Sequence, residues 1–356
     1  MQNLKPQTVH GTVAPPASGQ DVAIRATNLT KTYTFHRQEP GLRGALKSVI
    51  RRTYETRLAV DAISFTIARG EIVGLLGPNG AGKTTTLKML TGLLYPSGGE
   101  IDVLGYRPFD RDTAYLRRIA LVMGQRSMLW WDVPTMESLL LHKEMYGLAD
   151  DVFQESVDEL ATLLDVEDLL RVPVRKLSLG ERMRMEMVAA LLHRPDVLFL
   201  DEPTIGLDVV GKARVRSFLA DINRLRGTTI LITSHDMDDI EALCSRVMII
   251  DRGRLGYDGS LAQLVQGVQP RKLVRAAYDR PVDPAGLPEG VTVLPVEDGD
   301  GTVLQLEVTR EALGETLERL PRLGPLLDLS VTDADVEEII REVFVTGIAP
   351  NGEVGR

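Results

Sequence analysis

A chain of 356 residues with a single cysteine, Cys244, cannot carry a disulfide framework and is compatible with a reducing compartment. The cysteine reads as a small, buried, apolar residue on a helix. Long apolar runs are missing too: none approaches the roughly 20 residues that a bilayer-spanning helix needs. Residues 1–20 lack the basic-then-apolar pattern of a secretion signal, and Pro15, Pro16, Ser18 and Gly19 suggest a flexible tail. The expectation is a chain that stays in the cytoplasm unless something else holds it at a membrane. Positive charge is in deficit, with 41 Lys and Arg against 50 Asp and Glu and a formal net charge of −9. That balance argues against a general nucleic-acid surface. Tryptophan occurs only at Trp130 and Trp131.

Length predicts two or three domains with ample core for each. At residues 73–85, Val-Gly-Leu-Leu-Gly-Pro-Asn-Gly-Ala-Gly-Lys-Thr-Thr reads as an apolar strand, a glycine-rich bend and a helix start. This is the phosphate-binding pattern Gly-x-x-x-x-Gly-Lys-[Ser/Thr]. Gly77, Gly80 and Gly82 free the backbone of a bend that also holds Pro78, Asn79 and Ala81, so that several N–H groups can turn toward one anion. The helix start adds free N–H groups and its positive dipole end, Lys83 brings a full charge, and Thr84, followed by Thr85, offers a hydroxyl to magnesium. A nucleoside triphosphate is the ligand this loop implies.

Along the chain, strands are expected at 22–29 and 60–67 before the loop, a helix at 85–94 after it, and strands at 100–104 and 119–123. Residues 41–54 place Leu42, Ala45, Leu46, Val49 and Ile50 at helical spacing, with Arg43, Lys47, Arg51 and Arg52 opposite. Such a basic helix suits anionic headgroups or a partner, and equally a surface helix on its own domain. From about 126 to 192 the periodicity is helical, with helices at 136–145, 153–164 and 181–192. Strands return at 197–202, 229–233 and 247–251 with helices between, a pattern of parallel sheet buried on both faces. Beyond about residue 268 the expectation is a small α+β domain over 269–347, with strands at 272–277, 291–297, 302–309 and 326–330. Helices are expected there at 311–320 and near Val336, Ile339, Ile340, Val343 and Phe344, and 348–356 reads as a second tail.

The apolar strand 197–200 ends in Asp201-Glu202. Beside the phosphate loop, Asp201 can hold magnesium directly or through water, and Glu202 can act as a general base on the attacking water. Leu177-Ser178-Leu179-Gly180-Glu181 at a helix start is the third element. With it the chain resembles an ATP-binding subunit of the ABC transporter superfamily, over about residues 22–266. The matching order is Tyr33, the phosphate loop, Gln125, residues 177–181, Asp201-Glu202, Gly206-Leu207-Asp208 and His235.

The resemblance implies an α/β P-loop NTPase cassette with a mixed, largely parallel sheet and a helical subdomain. It assigns adenine stacking to Tyr33, phosphate contacts to residues 77–85, magnesium to Thr84, Gln125 and Asp201, the catalytic base to Glu202, and a terminal-phosphate switch to His235. Ser178 and Gly180 would bind the terminal phosphate of ATP held by an opposite subunit, and Asp208 would lie in the loop crossing to that subunit. Homodimers or heterodimers around two ATP-Mg are implied, driving separate six-helix permease subunits from the cytoplasmic face of the membrane. Two positions depart from the pattern: Leu179 stands where glycine is usual, and Glu181 where glutamine is. Glu181 adds negative charge near a phosphate while favouring its own helix start.

The loop sequence, Gly206-Leu207-Asp208 and the appended domain resemble the exporter branch, with drug-type export ranked ahead of polysaccharide or lipid-linked glycan export. Trp130-Trp131 falls where the family receives its permease, so the pair suits either an interface or packing beneath the subdomain. A cytosolic ABC protein acting on ribosomes or DNA would need a second cassette, a coiled coil or zinc-binding cysteines, which this chain lacks. A regulator that binds ATP without hydrolysing it would need a defective Asp-Glu pair or histidine.

Overall fold

The computed structural model describes residues 21–36, 54–124, 126–234, 236–267, 271–296 and 301–333. The chain divides into two compact units at Ser260/Leu261. The first opens with β1 (Val22–His36), β2 (Tyr54–Ala68) and β3 (Ile72–Leu76), then α1 (Lys83–Leu90), β4 (Gly98–Val103), the short α2 (Thr113–Leu116) and β5 (Ile119–Met123). Helices α3 (Thr135–Tyr146), α4 (Asp150–Leu164) and α5 (Leu179–Leu191) form the helical subdomain. The remainder is β6 (Val197–Asp201), α6 (Val209–Arg226), β7 (Thr229–Thr233), α7 (Met237–Leu243), β8 (Arg246–Asp251) and β9 (Arg254–Ser260).

Two sheets result. The larger runs β5-β6-β7-β3-β8-β9, parallel except for the β8–β9 pair. Its central strands are continuous apolar runs because both faces are covered: every residue of β7 is buried. The smaller sheet, β2-β1-β4, is antiparallel. Helix α1 buries Leu87, Met89 and Leu90 in one core with Ile24, Val60 and Ile67 of the small sheet and Leu75, Phe199 and Met248 of the large one. The helix that opens at the phosphate loop is thus clamped from both sides.

The subdomain is fixed to this frame at His193. Its ring stacks on Tyr146 at 3.8 Å and its Nε2 donates to the Ile119 carbonyl at 3.0 Å. Burial pulls the imidazole down to about 4, so it is neutral at neutral pH. Cys244 caps α7 and is buried as expected; burial, with Asp239 adding to it, pushes its thiol up to about 12, which makes it inert.

Three differences from the sequence expectation have physical causes. The first strand continues to His36, because Tyr33 and Phe35 pair with Arg57 and Glu55 across the small sheet while remaining substantially exposed, which blurs the alternation. Helix α1 stops at Leu90, since Gly92 has φ 72° and lies so close to the Pro108 carbonyl that a Cβ would approach it to 2.1 Å. Strand β9 has few apolar residues and two glycines, so it carries no strand signal. Pairing with β8 holds it, and Arg246 braces the edge by bonding Asp258 at 2.7 and 2.8 Å and Glu71 at 3.1 Å.

The second unit contains α8 (Leu261–Gly267), β10 (Arg271–Tyr278), β11 (Val291–Leu294), β12 (Val303–Thr309), α9 (Leu313–Leu323) and β13 (Leu326–Asp333). The sheet order is β11-β12-β10-β13, antiparallel throughout. Its core is Val274, Ala276, Tyr278, Leu304, Leu306, Val308 and Leu320, with the Tyr278 hydroxyl donating to the Leu320 carbonyl at 3.1 Å. Residues 41–53, the turn at 298–300 and the segment from Val336 to Phe344 lie outside the described residues, and residue 54 already belongs to β2. Among the described residues no helix is long and apolar enough to cross a membrane.

Candidate active site

Strand β3 delivers the chain into the glycine bend, and two of the glycines are forced by space. Gly77 has φ 157° and a Cβ there would meet the Ile250 carbonyl at 2.2 Å; Gly82 has φ 115° and a Cβ would meet the Ala59 carbonyl at 2.6 Å. The bend, with Pro78, Asn79, Gly80 and Ala81, is closed by the Ala81 N–H donating to the Pro78 carbonyl at 3.1 Å. Gly82 is then the N-cap of α1, and no side chain caps it and no acid sits in its first turn. Its first N–H groups and its dipole are therefore left without a capping side chain or a first-turn acid. Thr85 follows Thr84 in that first turn.

Lys83 is buried, and its ammonium donates to the Gly77 and Pro78 carbonyls. Burial lowers its pKa below the ordinary lysine value, while the carboxylates of Glu202 and Asp201 work against that. The Glu202 carboxylate is 4.0 Å away. A desolvated cation of this kind gains most from a ligand anion placed beside it.

The two acids at the end of β6 are held by groups that neighbour them in space. Thr84 Oγ1 donates to Asp201 at 2.8 and 3.0 Å, and Thr233 Oγ1 donates to Asp201 at 2.8 Å. The Glu202 N–H donates to both the carbonyl and the hydroxyl of Thr233, each at 3.1 Å. Those bonds hold Glu202 at φ 55°, a left-handed conformation uncommon for a glutamate and frequent at functional sites. Thr233 at the end of β7 is therefore the hinge pin for both acids. Sequence reasoning passed over it, since a threonine closing an apolar strand carries no motif, although its parallel register opposite Asp201 would have located it.

The oxygens present fit a hard divalent cation. The Thr84 hydroxyl and the Asp201 carboxylate stand at close to the spacing of neighbouring corners of an octahedron with bonds of about 2.1 Å. Among the described residues no group of three or more His, Cys, Asp or Glu side chains could hold a metal ion. Such a cation would need oxygens from its ligand, as is usual for magnesium on phosphates.

Tyr33 lies on β1 opposite Arg57, with the Lys31 ammonium 5.4 Å from its ring. The Arg57 guanidinium comes within 3.6 Å of where a Cβ on Gly80 would stand, so this pair borders the phosphate loop. Arg57 is a second cation at the loop that no motif announced. Gln125 and His235 lie outside the described residues; the Gly124 N–H, just before the first, donates to the Asp201 carbonyl at 3.0 Å.

Ser178 and Gly180 are elsewhere, at the tip of α5. Ser178 is the N-cap: its hydroxyl accepts from the Glu181 N–H at 3.3 Å, and its own N–H donates to the Glu181 carboxylate at 2.8 Å. That reciprocal capping box fixes the helix start, and the Ser178 donors hold the Glu181 carboxyl below its usual range. Leu179 leans over Gly206, whose Cβ would meet it at 2.5 Å. Asp208, near by, caps α6 by accepting from the Gly211 N–H at 2.7 Å. These groups border one surface cavity with Arg184 and Arg214, and no phosphate-loop residue lines it.

Residues 60–205 match the family model described as ABC transporter. The chain is 38% identical over 221 residues to the Nod factor export ATP-binding protein I of Burkholderia thailandensis, covering 61% of this chain and 71% of that protein. It is 32% identical over 238 residues to the linearmycin resistance ATP-binding protein LnrL of Bacillus subtilis, covering 63% and 76%. A solved structure, the ATP-binding subunit of an ABC transporter, superposes with a TM-score of 0.57 at 25% identity, over 68% of this chain and 92% of that one. Fold, sequence and loop chemistry agree, and the chain belongs to the ABC transporter family as an ATP-binding, ATP-hydrolysing subunit.

Proposed function

We propose that two such subunits close head to tail around two ATP-Mg and drive membrane permeases in the export of a drug-like or other small molecule. The observation that carries the reading is the convergence of Lys83, Thr84, Asp201 and Glu202 at one helix start, with Ser178 and Gly180 on a separate surface. In this reading residues 77–85 grip the phosphates, with Lys83 on the terminal ones and Tyr33 stacking on adenine. Thr84, Asp201 and Gln125 would hold magnesium, which when bound would supply neutralising charge at the phosphates. Glu202 takes the proton of the attacking water, held at the right angle by Thr233, and His235 touches the terminal phosphate.

The second half of each site is supplied in trans by the tip of α5, since a serine-glycine helix start on its own surface can meet a phosphate only if another subunit presents one. Asp208 lies at the crossing. Closure is driven by ATP and released by hydrolysis, a two-state element biased by its ligand. Export is supported by the names of relatives, one an export protein and one a resistance protein. The subunit is placed at the cytoplasmic face of the membrane through its permeases.

Purified chain should hydrolyse ATP, and Glu202→Gln should lower the rate by about 10²- to 10⁴-fold while leaving ATP binding intact. Hydrolysis unaffected by that substitution removes the assigned base.

A further inference from the structure

Glu186, two turns into α5, is a carboxylate only 3% exposed, and nothing in the nucleotide site uses it. A charge at that depth is costly unless it is hydrogen-bonded. Its partners are the Ser127 hydroxyl and the Met128 N–H, the latter donating at 2.8 Å. Burial raises its pKa, and the bonds from Ser127, Met128 and Leu129 oppose the rise. One turn closer to the tip on the same helix, the Arg182 guanidinium lies 5.9 Å from the Trp131 ring, within cation–π range. Farther along the loop, the Trp130 backbone N–H donates to the Ser138 hydroxyl at 3.0 Å, while Trp130 and Trp131 are left 57% and 53% exposed. A loop that presents two aromatic rings to solvent is therefore fastened at its base to the helix that begins at Ser178.

We propose that Glu186 is a positioning residue that makes the loop 127–131 move with α5, so that what happens at the Ser178 tip is transmitted to the tryptophans. This rests on the reading that ATP engages that tip. Because α5 is a hydrogen-bonded rod and Glu186 grips both a side-chain and a backbone donor of the loop, displacement of the rod carries the loop with it. Glutamine can keep two bonds by accepting from the Met128 N–H and donating to the Ser127 oxygen, whereas alanine keeps neither.

The chain has no other tryptophans, so emission excited selectively in tryptophan, at the red edge beyond tyrosine absorption, reports on this loop alone. In the full chain carrying Glu202→Gln, ATP should change tryptophan emission and acrylamide quenching. Adding Glu186→Ala should cut that response at least twofold, adding Glu186→Gln should keep it, and ATP affinity by equilibrium dialysis should stay within about twofold throughout. Ser127→Ala, which leaves the Met128 bond in place, is the milder second variant and should give an intermediate response. A full response in both Glu186→Ala and Ser127→Ala overturns the proposal, as does a response that falls only in step with ATP affinity. If the parent binds ATP with no change in emission, this inference fails alone; if it binds no ATP, the proposed function fails with it.

Discussion

Two helix starts in the first unit are built to opposite plans. Gly82 opens α1 with no side chain over its N-terminus; the Asp201 carboxylate beside it accepts from Thr84 and Thr233, and Glu202 is held through its backbone N–H on Thr233. Ser178 opens α5 with its own hydroxyl already accepting from the Glu181 N–H and the Glu181 carboxylate accepting from the Ser178 N–H. The first is an unsatisfied anion site inside a rigid clamp; the second is a self-satisfied cap on the surface. An anion gains most at the first, and at the second it competes with a carboxylate of the chain itself. The proposed function accordingly assigns nucleotide grip to α1, with the α5 tip contributing only when a phosphate is brought to it.

That contrast can be broken or sharpened by substitution. Lys83→Ala removes the buried cation from the strong half, and ATP affinity should fall by about 10- to 100-fold, equivalent to roughly 1.5–3 kcal/mol; equal affinity by equilibrium dialysis would contradict the grip assigned to α1. Ser178→Ala acts on the weak half, so ATP affinity of the monomer should hold while hydrolysis drops about tenfold and the missing cap costs about 1 kcal/mol in denaturant unfolding. Loss of monomer affinity would place the tip in the wrong half. Glu181→Gln removes the competing charge while its amide oxygen can still accept from the Ser178 N–H, and sedimentation should show ATP-driven association tightened about two- to fivefold, roughly 0.4–1 kcal/mol. Weaker association would mean the carboxylate helps rather than competes.

The strong half was legible in sequence because its residues are contiguous: the glycines, Lys83 and Thr84 form one run, and Asp201-Glu202 ends an unbroken apolar strand. The capping box is half legible, since a glutamate at Glu181 favours its own helix start, but its bond back to the Ser178 N–H appears only in space. Thr233, Arg57 and Glu186 were not legible, because each acts on residues far along the chain through sheet register or helix packing. Among the elements, β5 and β7 were readable to the residue because buried parallel strands are continuously apolar, whereas β9 depends on its neighbour and on Arg246. The exposure of the tryptophan pair was open until the loop could be seen to be held from beneath by Glu186 and Ser138.

Mixing two dead variants tests the shared site most directly. Chains carrying Lys83→Ala keep an intact α5 tip, and chains carrying Ser178→Arg keep an intact phosphate loop. If each ATP lies between the loop of one subunit and the tip of another, an equal mixture should recover about a quarter of wild-type hydrolysis, because half of the dimers are mixed and each has one complete site. A mixture no more active than either variant alone would contradict it.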